Sequence, residues 1–371
     1  MTVDARSDAG SNLHRSRRND GLKPSAANRF ARGKFGGYDS AAELRDSGVT
    51  LYGALDLGTN NCRLLLARPD PAGFGVVDAF SRIVRLGEGA SRSGRLSEEA
   101  MRRTVSAVRV CANKLTWWRV GKARLVATEA CRMAINGTEF VDRIAEETGL
   151  TLEIIDRESE AKLAVAGAAP LIAEGSRNVL VFDIGGGSTE LMWLDTSKDH
   201  YEIVAWTSIP AGVVTLAEWF GGRDVSSDDF RLMREHIRPL LQRFNSEIKS
   251  LTGGVVAADH LLGTSGTITT VCGVHLGLKR YDRSKVDGSW VESNDIGKVN
   301  QQLLAMSFAE RAASPCIGRE RADLVLAGCA ILEEIRTVWP VSRVRVADRG
   351  LREGILTELM TSDETYGRSS Q

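Results

Sequence analysis

Short apolar runs closed by glycines or small polar residues alternate with longer stretches whose apolar residues recur at helical spacing, from Val49 to about residue 360. That alternation predicts an α/β chain. A strand–turn–strand is expected over about 51–67, with a third strand near Gly75–Phe80. Further strands are expected at Lys122–Ala127, Leu152–Ile155 and Val179–Leu194, then at Leu261-Leu262 and Val344–Ala347. Ser97 reads as the cap of a helix, because Glu98 and Glu99 follow it and apolar residues recur at 101, 105, 108 and 115. A helix starts near Asn136–Phe140. Another starts near Asp156, its expected cap, with Glu158 and Glu160 in the first turn. Residues 226–251 carry apolar positions at 230, 233, 237, 240, 241, 244 and 248, one face of a long helix. A closing helix follows Asp348, and the residues after about 361 are expected to fray.

One stretch stands out within this pattern. Val179–Phe182 runs into Asp183-Ile184-Gly185-Gly186-Gly187-Ser188 and leaves through Leu191–Leu194. Glycines after a buried strand let backbone N–H groups converge on one spot, a nest suited to phosphate oxygens. Asp183, at the strand end, is placed to hold a metal ion or its waters. A plain hairpin turn explains the stretch equally simply. It occurs twice, however. Tyr52–Leu64 aligns with it, Asp56 on Asp183, Gly58 on Gly185, Thr59 on Gly186, Asn61 on Ser188 and Leu64 on Leu191. Two copies of one strand–turn–strand imply two domains of like design facing each other. A third strand-to-loop transition, Gly263-Thr264-Ser265-Gly266-Thr267, precedes a helix whose N-terminus suits phosphate.

Composition narrows the picture. The 371 residues suffice for two cores. Basic and acidic residues number 48 each, so bulk charge gives no argument for nucleic acid or membrane partners, and neither is expected. The N-terminus lacks an apolar signal segment, and no run approaches a membrane span. None of the six cysteines forms a C-x-x-C pair, which argues against zinc and fits a reducing cytoplasm. Residues 1–48 read as a disordered tail, with eight basic and three acidic residues up to Gly37. The expected organisation is tail 1–48, first domain 49–172, second domain 173–349 and closing segment 350–371, packing back toward the first domain.

The ordered motifs resemble the exopolyphosphatase and guanosine pentaphosphate phosphohydrolase (Ppx/GppA) family of the actin, Hsp70 and sugar-kinase superfamily. The family's Asp-x-Gly-Ser-Asn-Ser-x-Arg-Leu corresponds to Asp56–Leu64. Its Ala-Thr-x-x-x-Arg-x-Ala-x-Asn is Ala127–Asn136, and its Ser-Gly-Glu-x-Glu-Ala is Asp156–Ala161. Asp183–Ser188, Gly263–Thr267, Glu320–Asp323 and Asp348–Gly354 complete the series. Thr59 and Asn61 replace serines, and Arg157 stands where the family usually has glycine. The longer members add a C-terminal helical domain, so the chain looks like the short, two-domain form.

The resemblance implies two ribonuclease H-like (actin-like ATPase) domains with a cleft between them. It implies hydrolysis of a terminal phosphoanhydride, in inorganic polyphosphate or in guanosine pentaphosphate (pppGpp). Asp56 and Asp183 would hold Mg²⁺, with Mn²⁺ as an alternative. Gly58, Thr59, Asn60, Asn61 and Arg63 would grip phosphate, together with Gly185–Ser188 and Gly263–Thr267. Arg132 would add a phosphate-matching fork. Glu129 and Glu160 would orient water, with Glu158 next in line after Glu160. A superfamily kinase, a non-catalytic alarmone sensor and an actin-type filament protein are the competing readings. Chain-length preference and a homodimer are left open.

Overall fold

The structure is a computed structural model that describes residues 41–71, 73–198 and 200–369. Two mixed sheets carry it. The first has strands β1 (Tyr52–Leu57), β2 (Asn61–Asp70), β3 (Gly73–Ile83), β4 (Lys122–Ala127) and β5 (Glu153–Ile154), in the order β3-β2-β1-β4-β5. The second has β6 (Asn178–Ile184), β7 (Thr189–Asp195), β8 (Glu202–Ile209), β9 (His260–Thr264), β10 (Trp290–Glu292) and β11 (Arg343–Val346). Their order is β10-β11-β9-β6-β7-β8.

The same plan recurs in both sheets. A hairpin, β1–β2 or β6–β7, pairs antiparallel, and its first strand pairs in parallel with a later one, β4 or β9. Central strands buried on both faces need continuous apolar runs. Val179, Leu180, Val181 and Phe182 supply one, all fully buried. Helix starts follow their caps. Ser97 accepts from the Ala100 N–H, and Asp156 Oδ1 accepts from the Ser159 N–H at 2.7 Å. The Ser227–Leu251 helix buries six of its seven expected apolar positions, and Leu240 packs against the same core half-buried.

Helix Arg157–Ala168 sits between the sheets. Leu163 joins a core of Tyr52, Ala54, Leu65 and Val126, whereas Ala161, Ala164, Val165 and Ala168 join Val179, Val181, Met192 and Leu194. The closing helix, Leu351–Ser369, crosses it at backbone contact. A Cβ on Gly167 would lie 1.9 Å from the Gly350 carbonyl oxygen, and one on Gly354 would lie 2.0 Å from that of Leu163. The closing helix does not fray at 361. Asp363 accepts from the Tyr52 hydroxyl at 2.7 Å and pairs with Lys122, which ties the helix to β1 and β4. On another side, Arg85 from the first half makes a bidentate pair with Asp323 of the second, at 2.8 and 2.9 Å.

Residues 1–40 of the expected tail lie outside the described residues. The stretch that follows is not tail-like, since Ala41–Asp46 is a helix with Leu44 fully buried. The six cysteines are free and buried. Among the described residues, no helix is long and apolar enough to cross a membrane.

The crossing yields a matched pair of substitutions. Gly167→Ala forces a methyl group into the Gly350 backbone, so urea unfolding should show a loss of at least ~1–3 kcal/mol. Gly297→Ala, in helix Ser293–Ala305 with open space around its Cβ, should instead gain about 0.5–1 kcal/mol.

Candidate active site

The two hairpin turns are built alike. The Gly58 N–H donates to the Asn61 carbonyl at 2.9 Å, and the Gly185 N–H donates to the Ser188 carbonyl at 2.9 Å. The turns touch. A Cβ on Gly186 would stand 2.9 Å from Thr59 Cβ, and one on Gly187 would stand 3.0 Å from both Thr59 Oγ1 and Glu129 Cγ. Glycine is thus needed for the close approach of the two loops. Strand register places Asp56 opposite Arg63 and Asp183 opposite Glu190. The second row continues to Ser208 on β8 and Thr264 on β9.

The third loop joins β9 to helix Ser265–His275. Ser265 is held at φ 83°, a left-handed conformation that a non-glycine residue adopts at a cost of order 1–3 kcal/mol. Its buried Oγ has no hydrogen-bond partner among the described residues, nor do the buried side-chain oxygens of Asn60 and Asn61. Buried polar groups are rarely left unpaired. Here they converge on a cavity of about 540 Å³ bounded by all three loops.

Asp56, Asp183, Glu129 and Glu160 line that cavity, as do all the expected loop residues except Gly263. Gly263 lies in β9 beneath the loop, where a Cβ would meet the Phe182 ring at 2.4 Å. It is a packing glycine, not a phosphate contact. Glu158 is corrected as well. It faces solvent and pairs with Lys162 at 2.6 Å, turned out of the site by helical geometry. Arg132 does not reach the cavity wall to act as a phosphate fork, because its guanidinium is already engaged. Nη1 donates to the Ile155 carbonyl at 2.7 Å, and Nη2 donates to Glu129 Oε2 and, at 3.0 Å, to Glu160 Oε2. Arg132 thus braces the two glutamates.

Burial dominates the electrostatics. It raises the pKa of Asp56 against Arg63 and Arg352, and that of Asp183 against the nearby Thr264 hydroxyl and Arg63. Glu160 is pushed well above the usual range by burial and by Glu190, with Arg132 opposing. Glu190 is raised to about 7 by burial and Asp183, although the Ser188 and Ser208 hydroxyls donate to its Oε1 at 2.6 and 2.8 Å.

Sequence reasoning passed over Glu190, Arg321 and Arg352. Glu190 was readable, since it falls on Arg63 when the two hairpins are aligned and is the one charged residue among the apolar positions entering β7. The cavity lining also carries Arg321 and Arg352, near Arg63. Neither Arg63 nor Arg321 makes an ion pair with another described residue. Burial and Arg63 lower the pKa of Arg321, the mark of positive charge left without a counter-ion. Arg352 has Glu353 at 3.9 Å. Burial disfavours the Glu353 anion, yet Arg352 and Arg283 hold its pKa below the usual range. Both arginines lie in motifs quoted above, but position in a motif says nothing about which way a side chain points.

Paired hairpins with a loop-lined cleft between two mixed sheets define a phosphate-handling protein of the actin-like ATPase fold. Residues 65–363 match the Ppx/GppA phosphatase family, and the chain belongs to that family. It is 31% identical over 336 residues to Exopolyphosphatase 2 of Mycobacterium tuberculosis, covering 84% of this chain and 99% of that protein. The crystal structure of the Aquifex aeolicus family member aligns with TM-score 0.69 and 27% identity, over 85% of this chain and 99% of that one. An exopolyphosphatase structure from Cytophaga hutchinsonii shares the fold, with TM-score 0.77 and 24% identity over 84% and 98% of the two chains.

The Glu190 shift carries a stability signature. Its folded-state pKa, about 7, lies above the ordinary 4.5. The folded protein therefore binds the proton more tightly than the unfolded chain, and stability falls as pH rises from about 4.5 through 7. Glu190→Gln removes that dependence. In magnesium-free buffer its stability advantage over wild type should widen from pH 5 to pH 7, with a limiting slope of about 1.4 kcal/mol per pH unit, and level off above. Chemical denaturation across that pH range measures it.

Proposed function

We propose that the protein hydrolyses the terminal phosphoanhydride of inorganic polyphosphate, with pppGpp as a second substrate presenting the same group. The observation that carries this reading is a cleft lined by both carboxylates and arginines. Asp56, Glu129, Glu160, Asp183 and Glu190 line it together with Arg63, Arg321 and Arg352, and Arg63 lies directly across the hairpin from Asp56. A phosphate chain needs cations along its length and an oriented water at its tip. The name of the M. tuberculosis relative points to the same activity.

The residues present fit a magnesium ion. Asp56 and Asp183 offer hard, buried carboxylate oxygens. Gly350 leaves a hollow beside them, where a Cβ would lie 3.9 Å from both Asp183 Oδ2 and Thr264 Oγ1. Among the described residues no three His, Cys, Asp or Glu side chains form a complete cage. Magnesium is commonly held by one or two carboxylates plus substrate phosphates. Bound there, Mg²⁺ (or Mn²⁺) would neutralise phosphate charge.

The chain's own groups do the rest. The N–H groups of the two hairpin turns and of Gly266 and Thr267 bind phosphate oxygens, the unpartnered Ser265 hydroxyl donates to them, and the unpartnered Asn60 and Asn61 Oδ1 atoms accept from water. Water attacks the terminal phosphorus, its oxygen forming the new P–O bond as the bridging P–O bond breaks. Glu160 takes the water's proton, and the shortened chain leaves with the bond electrons. A carboxylate with raised proton affinity is the better base near neutral pH. Glu129, fixed by arginines, orients the same water.

Phosphate release should be measured side by side on short polyphosphate, long polyphosphate, pppGpp and ATP, with and without Mg²⁺. Mg²⁺-dependent release from polyphosphate is expected. Glu160→Gln should lose roughly 10²–10⁴ in kcat with its melting temperature kept. Tight pppGpp binding without release would identify a sensor instead, and acceptor-dependent ADP formation from ATP would identify a kinase.

A further inference from the structure

We infer that Arg157 is a positioning residue for Glu129, the second half of a two-arginine brace that decides which carboxylate faces the attacking water. The inference rests on the phosphoanhydride reading above. Glu129 opens the short helix Glu129–Met133 and is 7% exposed. Its side chain turns about three bonds, so a fixed backbone does not by itself aim the carboxylate. Two guanidiniums from different elements do. Arg132 binds Oε2 from the same helix, and Arg157 Nη2 donates to Oε1 at 3.0 Å from the first residue of helix Arg157–Ala168. With both oxygens claimed from opposite directions, the group cannot rotate.

The second contact matters because Arg132 is shared. One nitrogen, Nη2, serves both Glu129 and Glu160. Without Arg157, the two glutamates compete for a single cation, and whichever captures it leaves the other misaimed. With Arg157, Glu129 is held independently and Arg132 can keep Glu160 in place. The geometry separates this role from direct substrate binding. Arg157 is absent from the cavity wall, its side chain is 37% exposed, and Met133 Sδ lies 3.2 Å from Nη2 on the outer side. Its neighbour Glu158 is paired away with Lys162 and does not compete for it. This is also the position where the family resemblance expects glycine, which has no side chain to brace with. The device therefore belongs to this chain's own way of holding a shared family residue.

The test is a double-mutant cycle on the full chain, with short polyphosphate and Mg²⁺. It compares wild type, Arg157→Gln, Arg157→Lys, Glu129→Gln and the Arg157→Gln/Glu129→Gln double variant. Misplacement of a catalytic carboxylate predicts a kcat loss of roughly 10–100-fold in Arg157→Gln, with KM within about twofold of wild type. Arg157→Lys should recover most of it, because one ammonium can still reach Oε1. The double variant should be no slower than Glu129→Gln alone. Three results would overturn the inference. One is unchanged kcat in Arg157→Gln. Another is a rise in KM at constant kcat, which marks a substrate contact. The third is a set of losses that multiply in the double variant. Melting temperatures are measured alongside, and a fall that tracks the activity loss would show a merely structural role. Wild type releasing no phosphate from any of the substrates would instead sink the functional reading, and the inference with it.

Discussion

The structure is governed by one electrostatic constraint: several carboxylates share a buried cleft. Asp56, Glu129, Glu160, Asp183 and Glu190 all line it, and burial raises the pKa of Asp56, Glu160, Asp183 and Glu190. Taking like charges out of water disfavours folding unless cations or hydrogen bonds answer them. The protein answers only in part. Arg132 and Arg157 hold Glu129, and Arg132 reaches Glu160. Two serine hydroxyls hold Glu190. Asp56 and Asp183 make no salt bridge among the described residues. The remaining destabilisation falls on two apolar cores and a close helix crossing, the usual arrangement where a site is kept ready for a charged ligand.

Duplication explains how such a cluster is assembled. Each hairpin carries an aspartate at the end of its first strand, and two copies facing each other bring the aspartates together. The copies then differ where it counts. The residue paired across from the aspartate is Arg63 in one hairpin and Glu190 in the other. Asp56 therefore has a cation beside it, whereas Asp183 has an anion. That single difference makes the cleft electrostatically asymmetric. A symmetric pair of hairpins would hold a phosphate without telling its tip from its tail.

Much of this was legible in the chain. The paired hairpins follow from runs of apolar residues ending at Asp56 and Asp183, and Ser97 and Asp156 announced their helices because capping chemistry is local. What was not legible depended on where long side chains end. Arg132 reads as a phosphate fork, but both of its terminal nitrogens are engaged by Ile155, Glu129 and Glu160. Glu158 and Glu160 share one helical turn, yet a two-residue step rotates about 200° around the axis, so one faces the cleft and the other water. Gly263 looks like part of a phosphate loop and instead makes room for Phe182. The extension of the closing helix past 361 rests on Asp363 meeting Tyr52 and Lys122, contacts across some three hundred residues that no local pattern encodes.

The position of Glu160 ties the chemistry to the whole fold. It lies in the first turn of a helix that packs against both sheets, and the closing helix fixes that helix by backbone contact at Gly167 and Gly354. The two aspartates ride on the two sheets. The distance from Glu160 to each aspartate is therefore set by how the sheets sit against a common rod, not by any loop. Arg85 and Asp323 fasten the halves at the far side of the first loop, where Arg85 and Gly87 donate backbone N–H groups to the Asn60 and Thr59 carbonyls. Aim of Glu160, spacing of the aspartates and shape of the three loops thus depend on a single packing arrangement. A change in the angle between the halves would disturb all three together.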